Sequence, residues 1–162
     1  MARGLDALNA GDESTFLAVL QAPGVDRPRL FAALGAAADN SRWDVRAGRC
    51  VLHAADYLLG QPVAQIARFL PILAIAAARE HQYTNAAKRD RAAELLARLR
   101  PIVAQDEGAA DLVARSGCHA WDNGERKESK DLLEVVRGCT LVAKNAYYKQ
   151  LLKHHAMKKK KR

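Results

Sequence analysis

Aromatic residues make up only 6% of this 162-residue chain. No run of about 18 uncharged apolar residues occurs in it, which excludes a helical membrane span. The nearest approach, residues 69–78, is too short and contains Pro71. Cysteine is sparse and odd in number. Cys50, Cys118 and Cys139 have no paired spacing, which argues against a disulfide framework and leaves zinc without the second half of a four-ligand pattern. They read as reduced thiols of an intracellular protein, two of them as small apolar side chains. Glycines are dispersed, so no phosphate-cradling loop forms. Met1-Ala2-Arg3-Gly4 is followed by Asp6, Asp12 and Glu13 instead of the apolar core of a signal peptide. No segment sustains an apolar–polar alternation, so no sheet is expected.

Alanine is abundant, and glycine and proline fall mostly between apolar stretches. That mixture favours helices packed closely through small side chains. The expected architecture is all-α: flexible residues 1–11, one helical domain over 12–155, and a disordered basic tail over 156–162. Charge is unevenly distributed. The formal net charge is +8, yet the segment from Lys144 to Arg162 holds eight Lys and Arg and no acid, so the rest of the chain is neutral. Such a run attracts polyanions or import receptors.

Helix boundaries are written in the punctuation. Glu13 to Gln21 is stopped by Pro23-Gly24. Asp26 caps a second helix with early Pro28 and an apolar face of Leu30, Phe31, Leu34 and Ala38. Ser41 with Asp44 resembles a capping box for a third helix that ends at Gly60. Val63 to Arg79 is apolar almost all round, and Pro71 should bend or divide it. A fifth helix runs from the corner at residues 81–85 to near Leu99, before Pro101. Asp106 to Ser116 is helical, Gly117 to Gly124 is a loop holding Cys118, His119 and Trp121, and a long C-terminal helix runs from about Ser129 to His154 or His155. Its apolar stripe is Leu132, Val136, Cys139, Ala143 and Tyr147.

Leu30-Phe31-Ala32-Ala33-Leu34, then Asp39, then Trp43-Asp44-Val45-Arg46-Ala47, resembles the hinge of a HEAT or armadillo-type repeat. The resemblance implies that Val45 enters the inter-helix core while Asp39 and Arg46 link neighbouring turns. The step from Pro28 to Val63 is near the roughly 40 residues such repeats need. Val63 to Arg79 followed by Asn85 to Val103 would be a second repeat, in which Lys88-Arg89 replaces Val-Arg. A short helical-repeat stack binds partners through its second helices, which implies Arg42, Trp43, Arg46 and Arg49, and one unit on Lys88, Arg91 and Arg98, as partner-binding residues.

Chemistry-bearing motifs are incomplete. His53-Ala54-Ala55-Asp56 resembles a string in cyclic-nucleotide phosphodiesterases, but His81, His119 and Asp122 are too scattered to complete a metal site. His53 reads as structural. Cys118-His119 lacks an orienting acid. No catalytic residue, metal or cofactor is expected. The cluster between Arg79 and Arg100 is offset by Glu80, Asp90 and Glu94, and its simplest reading is a solvated, salt-bridged face.

The basic segment Lys149, Lys153, Lys158, Lys159, Lys160, Lys161 and Arg162 reads as a nuclear-import signal or a polyanion contact. Tyr148 is the better candidate for an exposed ring and Tyr147 for a core one. The expected function is a non-enzymatic scaffold module of a larger assembly, nuclear or nucleolar, otherwise cytoplasmic, with another protein as partner and no membrane. Direct RNA or DNA binding through the tail is the alternative. A metal-dependent enzyme centred on His53 and Asp56 comes third.

Overall fold

The computed structural model describes residues 1–83, 85–140, 144–146, 148–151 and 153. Among them all regular structure is helical, as the periodicity requires. The chain divides into two compact units, Met1–Ala76 and Ala77–Arg162.

The first unit opens with α1 (Ala2–Ala10), α2 (Glu13–Gln21) and α3 (Arg27–Asn40). Residues 1–11 are therefore not a flexible lead. Leu8 is fully buried, and a Cβ on Gly4 would meet Leu34 and Val19 at 3.1 Å, so α1 is seated directly on α2 and α3. Gly11 ends α1 at φ +75°, a left-handed turn that glycine takes without strain. Asp12 and Asp26 cap α2 and α3 by accepting the backbone N–H of Thr15 and Arg29.

The next helices are α4 (Val45–His53), α5 (Ala55–Leu59) and α6 (Val63–Ile66). The cap of α4 is Asp44, whose carboxylate accepts from the backbone N–H groups of Arg46 and Ala47 at 2.8 and 3.1 Å. Ser41 instead terminates α3, because its N–H is used by the carbonyls of Ala37 and Ala38. The helix expected to run on to Gly60 is interrupted at Ala54.

The apolar segment starting at Val63 divides, as Pro71 demands. After α6 comes a 3-10 turn, Ala67–Phe69, and the chain restarts as α7 (Leu70–Tyr83) with Pro71 in its first turn, where no N–H is needed. Leu70, Ile72, Leu73, Ala74 and Ile75 are all buried, which explains an apolar circumference. The boundary between the two units falls within α7.

The few aromatic rings are concentrated. All three phenylalanines lie in the first unit's core, where Phe69 meets Phe16 and Phe31 edge-on at 6.5 and 6.3 Å. Tyr57 adds an edge-on contact to Phe31 at 6.3 Å and donates its hydroxyl to the Leu20 carbonyl.

The second unit contains α8 (Ala86–Val103), α9 (Glu107–Asp122) and α10 (Arg126–Val135). Asn85 and Asp106 cap α8 and α9. Pro101 does not end α8, which reaches Val103. So near a C-terminus, proline's fixed φ is tolerable and one internal bond is lost. Nor do residues 117–124 form a loop: Cys118, His119 and Trp121 are on α9, with Gly124 (φ +80°) making the turn. α9 and α10 pack most extensively, at small residues; a Cβ on Gly117 would come within 3.0 Å of the Leu133 side chain.

The long C-terminal helix is broken. α10 stops at Val135, and Gly138 at φ +88° turns the chain. The stripe of Leu132, Val136 and Cys139 is buried, but across this turn and not along one helix. Residues 148–151 are again helical. Ala143, Tyr147, His154, His155 and the expected disordered tail lie outside the described residues.

Candidate interaction surfaces

α4 is the most clearly two-sided element of the first unit. Ala47, Gly48, Cys50 and Val51 are buried. At about 100° per residue, Val45, Arg46, Arg49, Leu52 and His53 fall on one continuous arc opposite them. Arg46, Arg49 and His53 are exposed, Leu52 is half-buried, and Val45 is 52% exposed. The repeat-like expectation that Val45 enters the core is thereby corrected: as the first residue of α4 it stands on the solvent arc.

Arg46 does not link to Asp39 either. Its aliphatic stem lies over Gly11, where an added Cβ would come 3.1 Å from the Arg46 Cβ. Acids border this arc at the start of α2 and at the cap, but Asp12 and Asp44 are each engaged with backbone N–H groups.

Asp39 is paired elsewhere. Its carboxylate is 8% exposed and lies 3.6 Å from an Arg42 nitrogen and 3.7 Å from an Arg68 nitrogen. Arg68 is missed by sequence reasoning. The signal that marks it is a lone charge in the apolar segment Val63–Ala78. Trp43, beside Arg42, is half-buried and holds a contact of its own.

In the second unit, α8 packs through a narrow stripe of Ala92, Leu96, Leu99 and Val103. Lys88, Arg91 and Arg98 are exposed and share one flank of that stripe; Arg89 and Arg100 take the other. Arg100 donates to the Arg137 carbonyl at 3.3 Å. The expected partner-binding residues thus belong to two groups, Arg42, Trp43, Arg46 and Arg49 in the first unit, and Lys88, Arg91 and Arg98 in the second.

Of the basic segment, Lys149 and Lys153 are exposed, and Lys158, Lys159, Lys160, Lys161 and Arg162 lie outside the described residues. Tyr148 is 7% exposed, so it is not the stacking ring expected of it; with Leu151, one helical turn on, it anchors this segment. Burial and the neighbouring Cys118 raise its hydroxyl above its usual range.

Other chemistry is structural in its geometry. His81 Nδ1 lies 2.8 Å from Asp131 Oδ2, which also accepts from Gln82. This group is missed in the sequence because its members are far apart in it. His53 and Asp56 are both exposed. Among the described residues, no three His, Cys, Asp or Glu side chains come together as a metal site. All three thiols are buried. Burial pushes Cys50 and Cys118 up to about 11, helped by Glu13 at the first and Asp122 at the second. Thiols held in that way are poor nucleophiles near neutral pH. Trp121 stacks under the Arg126 guanidinium at 4.8 Å. Among the described residues, no helix is long and apolar enough to cross a membrane. No family model, curated protein or solved structure matches this chain.

Proposed function

We propose that this chain is a non-enzymatic interaction module, a subunit of a larger nuclear or nucleic-acid-associated assembly, which offers α4 to a protein partner. The observation that carries the reading is the solvent arc of α4: two exposed arginines and a histidine around Val45 and Leu52, with no acid on the arc. Mixed apolar and guanidinium groups are what buried contact patches use, and arginine is enriched there over lysine. The first unit contains arginines and no lysine. From the helical-repeat resemblance this reading keeps only the idea that a second helix faces the partner.

The test is affinity capture with the full chain, with Arg46→Glu/Arg49→Glu, and with a chain ending at Met157. A protein retained by the first and third but lost by the second supports the reading. A capture pattern that ignores the double substitution refutes it.

A second reading, direct RNA or DNA binding, draws on the concentration of net charge between Lys144 and Arg162. It requires affinity that falls steeply with salt and disappears in the chain ending at Met157. Titration against RNA and duplex DNA at two salt concentrations decides it. The tail would otherwise serve as a nuclear address.

A further inference from the structure

Asp39 is a buried carboxylate shared by two arginines that do not hydrogen-bond to it. Oδ1 faces Arg42 at 3.6 Å and Oδ2 faces Arg68 at 3.7 Å, and Oδ1 has no hydrogen-bond partner among the described residues. A charge-assisted N–H···O bond closes to about 2.7–2.9 Å. Asp39 therefore attracts both guanidiniums without using their N–H donors.

We infer that Arg42 and Arg68 form a receptor for a phosphate monoester, with Asp39 as the positioning residue that keeps the two guanidiniums together. Two cations drawn to the two oxygens of one carboxylate repel each other, and that buried carboxylate offsets the repulsion while leaving one net positive charge. Both arginines reach solvent, Arg42 at 27% and Arg68 at 57% side-chain exposure.

Their backbones are fixed. Arg42 follows Ser41, the C-cap of α3, and donates its N–H to the Asp39 carbonyl at 3.3 Å. Arg68 sits in the 3-10 turn beneath Gly35, where an added Cβ would meet the Arg68 Cβ at 3.2 Å and the Phe69 ring at 3.4 Å.

The ligand class follows from the donors. One planar fork matches the two oxygens of a carboxylate. Two forks need more acceptors and more charge, which a monoester supplies through three terminal oxygens and a charge near −2. A phosphodiester has only two such oxygens and a single charge. The site does not depend on the α4 arc, since neither Arg46 nor Arg49 takes part.

The experiment is a calorimetric titration of the full chain with phenyl phosphate, alongside dimethyl phosphate and acetate at matched ionic strength. Inorganic phosphate in a parallel arm separates a site for the free ion from one for an ester. Saturable binding of phenyl phosphate, with the diester and acetate about tenfold weaker or more, is expected. Arg68→Ala and Arg68→Lys should each lower affinity about tenfold or more with an unchanged circular dichroism spectrum. Arg68 is exposed, so neither should prevent folding.

Asp39→Asn separates positioning from simple charge. Removing a negative charge would strengthen anion binding on electrostatics alone, whereas loss of positioning weakens it. No saturable binding, equal binding of all three organic anions, or an unaffected Arg68→Ala variant would overturn the receptor. Tighter binding in Asp39→Asn would overturn the role of Asp39, and tighter inorganic phosphate than phenyl phosphate would overturn the ester as ligand.

Discussion

Asp131 on α10 accepts hydrogen bonds from both His81 and Gln82 on one carboxylate oxygen, each at 2.8 Å. The side chain of Asp131 is 15% exposed and that of His81 35%, so solvent screens this group only in part. It ties the end of α7 to α10 within the second unit.

Replacing Asp131 with Ala should cost about 1–2 kcal/mol of stability, since two donors lose a largely buried acceptor. Urea denaturation followed by helical signal measures it. Asp131→Asn should lose less, because its amide oxygen still accepts from Gln82. Equal stability of Asp131→Ala and the parent chain would show that the link contributes nothing.

Glu128, one turn before Leu132 on α10, has a different character. Burial holds its carboxyl above the ordinary 4.5, with the neighbouring Arg79 pulling the other way and Glu125 and Asp131 reinforcing the rise. The sign is that of a group that keeps its proton longer folded than unfolded. Its contribution favours the folded state at low pH, and falls as pH rises from 4.5 through the folded value. Glu128→Gln should remove that slope, so the difference in unfolding free energy between variant and parent grows in the variant's favour across this window. Denaturant midpoints at several pH values from 4 to 7 test it; parallel profiles would contradict it.

Gly117 and Gly60 make a matched pair. A methyl at Gly117 would press on Leu133 at 3.0 Å and Leu132 at 3.4 Å in the tight contact of α9 with α10. Gly117→Ala should therefore destabilise the fold by about 1–3 kcal/mol. Gly60 has an ordinary φ of −83°, and the nearest atoms to its added Cβ are carbonyl oxygens at 3.4 and 3.6 Å. Gly60→Ala should be neutral or stabilising by up to about 1 kcal/mol, through a less free unfolded chain. Thermal melts of the two variants should move in opposite directions or leave only Gly117→Ala shifted.

The buried thiols give a kinetic prediction. With pKa values near 11, Cys50 and Cys118 present little thiolate at pH 8. Cys50 also directs its thiol to the Ala7 carbonyl at 3.6 Å. Iodoacetamide labelling at these two positions should run about 100-fold slower than at an ordinary exposed cysteine and accelerate in denaturant. Site-resolved mass spectrometry reads both rates, and fast labelling in the native protein would show these thiols to be accessible.

Helix class, the Asp26 cap, the apolar face of Leu30, Phe31, Leu34 and Ala38, and the division at Pro71 were legible in the order of residues. Each rests on interactions spanning one or two turns, and local chemistry decides those: an aspartate accepts a nearby N–H, a proline lacks one, and burial repeats with the helix period. The candidate site was legible only in part. Arg46 and Arg49 came from the repeat-like placement of a second helix, whereas Arg68 went unmarked, because its meeting with Asp39 crosses almost thirty residues.

Tertiary structure decided the rest. Asp44 was free to cap α4 because Ser41 was already drawn into the end of α3. Trp121 stayed on α9 because Gly117 let that helix lie against Leu133. Tyr148 went inward, and Val45 outward, because each helix has only one face toward its neighbours. Packing chooses which face that is, while the sequence supplies the faces to choose from.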